Sequence, residues 1–109
     1  MSDKELLELA AKAAGYDKTR TCIDEYFWVL TDGDDWHPWN PLTDDGDALR
    51  LAVKLGLLVD ATKGMFTGVR YSSENGYDVW LYEKHNDDPY AATRRAIVRA
   101  AAEIGRGME

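Results

Sequence analysis

Three aspartates, Asp32, Asp34 and Asp35, resemble the start of a calcium-binding loop. Closely spaced carboxylates suit a hard cation, which takes roughly six to eight oxygen ligands. The twelfth position counted from Asp32 is Thr43, where such a loop needs a bidentate glutamate. The pattern stops short of the residue that would close the coordination sphere. Zinc needs nitrogen and sulfur ligands gathered at one place. Cys22, His37 and His85 are the chain's cysteine and histidines, and they lie in three separate segments. No metal is expected from this set. Cys22 with a histidine could form a nucleophile–base pair. No local signature surrounds it, and a lone cysteine at the start of a strand reads as buried packing. The chain has no phosphate-cradling glycine loop, no Gly-x-Ser-x-Gly and no His-Glu-x-x-His. Neither a catalytic group nor a cofactor is therefore expected, and the sequence reads as that of a non-enzymatic protein.

Two further sets could bind rather than react. Arg94, Arg95, Arg99 and Arg106 could hold a phosphate, with Arg95 and Arg99 four apart on one helix face. A basic helix end that complements the helix dipole is the favoured reading. Pairing with the acidic segment of the same chain lies between the two. Trp36 and Trp39 stand among acids, and aromatic side chains anchor interfaces. Core packing and partner contact are evenly matched for these two. For Trp28 and Trp80 core packing is preferred.

The acids are unevenly placed. Residues 1–60 hold six basic residues and thirteen acids, while residues 61–109 hold seven of each. The whole net charge of −7 therefore lies in the first part. Six of the acids fall between Asp32 and Asp47. Such a field repels nucleic acid and attracts a basic surface. With 109 residues, 45% of them hydrophobic, the chain is expected to form one domain over residues 1–109. No apolar run approaches the ~18 residues of a membrane span, and the first residues do not read as a signal peptide. One cysteine excludes an internal disulfide.

Local signals place these residues on elements. Ser2 and Glu5 form a capping-box pattern ahead of a helix from Asp3 to Ala14, with Leu6, Leu7, Ala10, Ala13 and Ala14 as its apolar stripe. Gly15 stops it. Cys22 to Leu30 reads as a strand. Trp36 to Leu42 holds two prolines and reads as an ordered loop clamped to the core. Thr43 is expected to cap a second helix, with Asp44, Asp45 and Asp47 in its first turn. Ala48, Leu49, Ala52, Val53 and Leu55 are its expected buried face, and Gly56 its stop. Leu57 to Val59 is a brief strand. Phe66 to Tyr71 and Tyr77 to Glu83 flank Asn75-Gly76 as a hairpin, of which either face could be core. Asp88 and Pro89 open the last helix, with Ala92, Ala96, Ile97, Ala100, Ala101 and Ile104 inward and Gly105 as its end. The expected fold is α+β: an antiparallel sheet of three to four strands packed with three helices, in the order α-β-α-β-β-β-α.

The run Trp39-Asn40-Pro41-Leu42-Thr43-Asp44-Asp45-Gly46-Asp47-Ala48-Leu49-Arg50-Leu51-Ala52 is a Trp-Asn-Pro box followed by an Asp-Ala-containing helix. Asn86-Asp87-Asp88-Pro89 leads into a helix rich in alanine. In these segments the chain resembles small phage and prophage proteins of the ABA-sandwich type. Those share a short N-terminal helix, the box, a central hairpin and a closing Ala-rich helix. The resemblance covers nearly the whole chain in order of elements. It implies a phage- or prophage-encoded accessory protein, in the cytoplasm of a bacterial host, with helices on two faces of a sheet. It carries no catalytic residues over.

The expected function is then a binding protein, an acidic inhibitor that occupies a basic surface of a host or defence protein. The residues assigned to that contact are Asp32, Asp34, Asp35, Trp36, Trp39, Asp44, Asp45 and Asp47. The charges steer and the rings anchor. Direct contact with nucleic acid or membrane is not expected. The competing reading is a structural or assembly protein, a homo-oligomer joined through its aromatic residues.

Overall fold

The computed structural model describes residues 1–16, 18–21, 27–30, 35–61 and 64–108. Helix α1 spans Asp3–Ala13, followed by strands β1 (Thr19–Thr21), β2 (Phe27–Leu30) and β3 (Trp36–Pro38). Helix α2 (Asp45–Leu55), strands β4 (Leu58–Asp60), β5 (Phe66–Ser72) and β6 (Asp78–Lys84), and helix α3 (Pro89–Gly107) complete the order. The fold is α+β, as the sequence implies. Its strands form two three-stranded antiparallel sheets, β1-β2-β3 and β4-β5-β6, in place of one sheet of three or four. The order is α-β-β-β-α-β-β-β-α. The difference lies in β1 and β3, three residues each, which are too short to show an alternating pattern. They pair on either side of β2. Pro38 ends an outer strand, where its missing N–H costs no ladder bond. Of the expected strand from Cys22, Phe27–Leu30 is observed, and residues 22–26 lie outside the described residues.

Helix α3 is the central element. It packs against α1, α2, β5 and β6. Its buried residues include Ala92, Ala96, Ile97, Val98, Ala100, Ala101 and Gly105. Ala96, Ile97, Val98, Ala100 and Ala101 join Leu6, Leu7, Ala10 and Ala11 of α1, Ala48, Leu51 and Ala52 of α2, and Phe27, Val29 and Val69 of the sheets in one apolar cluster. Small residues let the helices approach closely. Gly105 does not end α3, as its type suggests. It lies within the helix, and a Cβ there would sit 2.0 Å from the Leu9 carbonyl oxygen of α1. The helices of the implied sandwich would cover both faces of a sheet. Here α3 covers one face of β4-β5-β6, and no helix among the described residues covers the other.

Apart from Gly105, the helix ends follow the sequence closely, with one shift at α2. Asp88 accepts from the Ala91 N–H at 3.0 Å, and Pro89 opens α3. The cap of α2 is Asp44, not Thr43: its carboxylate accepts from the Asp47 N–H at 2.8 Å. Thr43 is held in the preceding turn by the Asn40 carbonyl. Gly56 ends α2 in the left-handed conformation, φ 64°, which costs glycine no Cβ clash. In the hairpin turn the Ser73 N–H donates to the Tyr77 carbonyl and the Gly76 N–H to that of Ser73.

At α1 the capping box is complete. The Ser2 hydroxyl accepts from the Glu5 N–H and donates to the Glu5 carboxylate. The Ser2 hydroxyl first, and then its backbone N–H, hold the Glu5 carboxyl below its ordinary value. A depressed carboxyl stabilises the fold above its unfolded pKa and loses that contribution as pH falls through the folded one. Ser2→Ala is therefore expected to move the Glu5 titration upward, towards an ordinary carboxylate, in an NMR pH series. An unmoved titration would show that the box does not set it.

Candidate functional site

The Trp-Asn-Pro box works as a latch. The Trp39 N–H donates to the Phe27 carbonyl at 2.8 Å. Its ring is buried, 7% exposed, edge-on to Tyr16 at 5.7 Å and beside Phe27 at 6.1 Å. The Asn40 N–H donates to Asp47 Oδ2 at 3.0 Å, and Asn40 Oδ1 accepts from the Leu42 N–H. Pro41 is fully buried behind them. Asp47 Oδ1 meets Arg50 at 2.8 Å.

Asp44, Asp45 and Asp47 are thus engaged within the chain. Asp44 caps α2 and Asp47 holds the loop. Asp45 pairs with Arg94 at 2.7 Å, while Arg94 Nε also donates to the Leu42 carbonyl at 2.8 Å. Arg95 meets Asp3 at 3.3 Å, and Arg99 pairs with Glu83. Arg106 lies 3.5 Å from Glu103. The arginine series therefore bonds acids of its own chain, including one of the acidic segment. Exposed pairs contribute little energy, ~0–1 kcal/mol each, so their effect here is to orient. Trp36 is half-buried under Arg20, whose guanidinium carbon lies 4.3 Å from the ring centroid. Asp35 is exposed. Asp32, Asp34 and Cys22 lie outside the described residues. Of the described members of the set, Trp39 is core, while Asp44, Asp45 and Asp47 bond groups of their own chain. Trp80, for which core packing is preferred, is exposed, and of the evenly matched pair Trp39 is buried and Trp36 half-buried.

The sequence reading did not find the larger feature. A groove of about 730 Å³ runs between α2 and α3. Ala48, Leu49 and Ala52 line it from α2, and Pro89, Tyr90 and Ile97 from α3, with Val59 between them in the chain. Its polar groups are Asp45, His85, Thr93 and Arg94. The volume lies within the usual range of binding pockets, and so does the mixture of apolar lining with a few polar groups. Helix α2 buries Ala48, Leu51 and Ala52, with Leu55 half-buried. That set is a complete i, i+3, i+4, i+7 stripe. Leu49 and Val53, expected in the buried face, lie about 100° round the helix. They are 64% and 72% exposed. A signal was present in the sequence: α2 has more apolar positions than one stripe can bury.

One polar chain reaches the groove. Thr67 is fully buried. Its hydroxyl lies 2.8 Å from His85 Nε2 and 2.8 Å from Thr93 Oγ1. A hydroxyl against an imidazole has the geometry of a nucleophile and base, but no substrate can reach an enclosed Thr67. The chain instead ties β5 to the segment after β6 and to α3, each hydroxyl satisfied as burial demands. Among the described residues no group of three or more histidines, cysteines or acids is placed to hold a metal ion. Among the same residues no helix is long and apolar enough to cross a membrane. No family model matches the chain, and neither does a curated protein or a solved structure.

Proposed function

We propose that the chain is a non-enzymatic binding protein, encoded by a phage or prophage and acting in the bacterial cytoplasm. Its groove between α2 and α3 takes an apolar segment with basic flanks, presented by a host or defence protein. The observation that carries this reading is the exposed Leu49 in the lining of an apolar groove, with the exposed Val53 one turn further along α2. Two apolar side chains four apart on a helix, next to a hollow, suit the mode in which an amphipathic segment lies in a groove. Asp45 lines the groove, and Asp87 and Asp88 immediately precede its residues Pro89 and Tyr90. Those acids and the net charge of −7 favour a basic partner through steering and disfavour nucleic acid. No cofactor or membrane enters this reading.

The test is capture from bacterial lysate by the tagged chain at low and high salt, read by mass spectrometry. The wild-type chain is expected to retain a protein at low salt and release it at high salt. Leu49→Ser with Val53→Ser should lower its recovery at least tenfold, because both positions are exposed and the fold does not need them. Asp34→Lys with Asp35→Lys should weaken capture and flatten its salt dependence. Undiminished capture by the serine variant would overturn the groove, and capture indifferent to salt would overturn the basic partner.

A further inference from the structure

The face of β4-β5-β6 turned away from α3 carries Leu58, Phe66, Trp80 and Tyr82, all exposed. The Trp80 and Tyr82 rings stack, with centroids 6.1 Å apart and planes 15° apart. Both lean over Gly68, where a Cβ would lie 3.0 Å from Tyr82 and 3.2 Å from Trp80. The two rings therefore cover the middle strand at Gly68, which is buried beneath them. The same face holds Arg70 and Lys84 against Asp60 and Asp78, by strand alternation and register. These charges balance, although the chain as a whole is at −7. A copy of the chain, repelled elsewhere, meets no net field here.

The register makes the face self-complementary. One row across the strands is Leu58, Arg70, Trp80; the next outward-facing row is Asp60, Gly68, Tyr82. Asp78 lies beyond the first row and Lys84 beyond the second. A two-fold axis in the interface plane, running across the strands between these rows, exchanges them. It sets Trp80 against the partner's Tyr82, Arg70 over the rings that cover the partner's Gly68, Leu58 beside the partner's Asp60, and Asp78 against the partner's Lys84, each contact occurring twice. An isologous interface requires this reciprocity. We propose that this face docks a second copy of the chain, sheet on sheet about that axis. Three strands of at most seven residues make a patch at the small end of stable interfaces, so the dimer forms and separates with concentration. The groove between α2 and α3 takes no part in it.

Sedimentation velocity from low micromolar to submillimolar concentration tests this. The wild-type chain is expected to pass from monomer to dimer. Asp78→Lys and Lys84→Asp, at exposed positions, should each weaken the dimer at least tenfold, because each sets like charges opposite one another. An equimolar mixture of the two variants should recover the wild-type affinity within about threefold, since each lysine again meets an aspartate. Tyr82→Ser, which removes the exposed ring and keeps the charges, should also cost tenfold. A wild-type chain that stays monomeric would overturn the proposal. So would single variants that dimerise like the wild type, or a mixture no tighter than either variant alone.

Discussion

Gly105→Ala is expected to destabilise the protein by about 3 kcal/mol or more, at the upper end of overpacking costs. The added methyl would lie 2.0 Å from the Leu9 carbonyl oxygen and 2.8 Å from its carbon. Those atoms are backbone, so no side chain can swing aside, and α1 as a whole must move from α3. The loss is a large share of the ~5–15 kcal/mol that holds a domain of this size together. It should lower the melting temperature by roughly 10–20 °C. Gly107→Ala is the control. The nearest atoms to a Cβ there belong to the flexible Glu74 side chain, the closest at 3.4 Å, and alanine favours a helix over glycine. Calorimetry should show the first variant melting far below the wild type and the second at or above it. Equal melting points would mean that α1 is not seated on α3 as described.

Trp39→Ala should cost about 3–5 kcal/mol, the range for removing a buried large aromatic. The ring is buried against Tyr16 and Phe27, and its loss opens a cavity at the point where the loop is latched to β2. Trp39→Phe keeps part of the contact and should cost less. Urea unfolding gives both values. Capture by the groove should survive Trp39→Phe, because Trp39 does not line it. A marginal change in stability on Trp39→Ala would return this residue to the surface and to partner contact.

The features that were legible in the sequence depend on near neighbours. Ser2 with Glu5, Asp88 with Pro89, and Gly56 announce helix ends because the bonds they make lie within a few residues. The second sheet was not legible. Thr19–Thr21 and Trp36–Pro38 are shorter than any period, and only pairing with β2 makes them strands. Gly105 has the local meaning of a stop and the tertiary meaning of a close approach, and the second prevails. Leu49 and Val53 fit a helical stripe as well as Leu51 does, until the direction of α3 decides which face is inward. The acidic segment was visible as charge. That Asp47 holds Asn40 and Asp45 reaches Arg94 depends on contacts across as many as 49 residues. The groove gathers α2, β4, the segment after β6 and α3, so no single stretch of sequence contains it.

The central place of α3 has a consequence for how the chain comes to be folded at all. Translation runs from the N-terminus, so α1, α2 and β4-β5-β6 are made before the helix they pack on. Leu6 and Leu7 of α1, which packs chiefly on α3, have no lasting cover until Pro89–Gly107 has emerged. Contacts such as Arg95 with Asp3 close a span of 92 residues, and closing long spans slows folding because the entropy is lost before the contact forms. The nascent chain therefore carries its apolar stripes uncovered for as long as synthesis takes, which is the interval in which a holding chaperone has most to offer it.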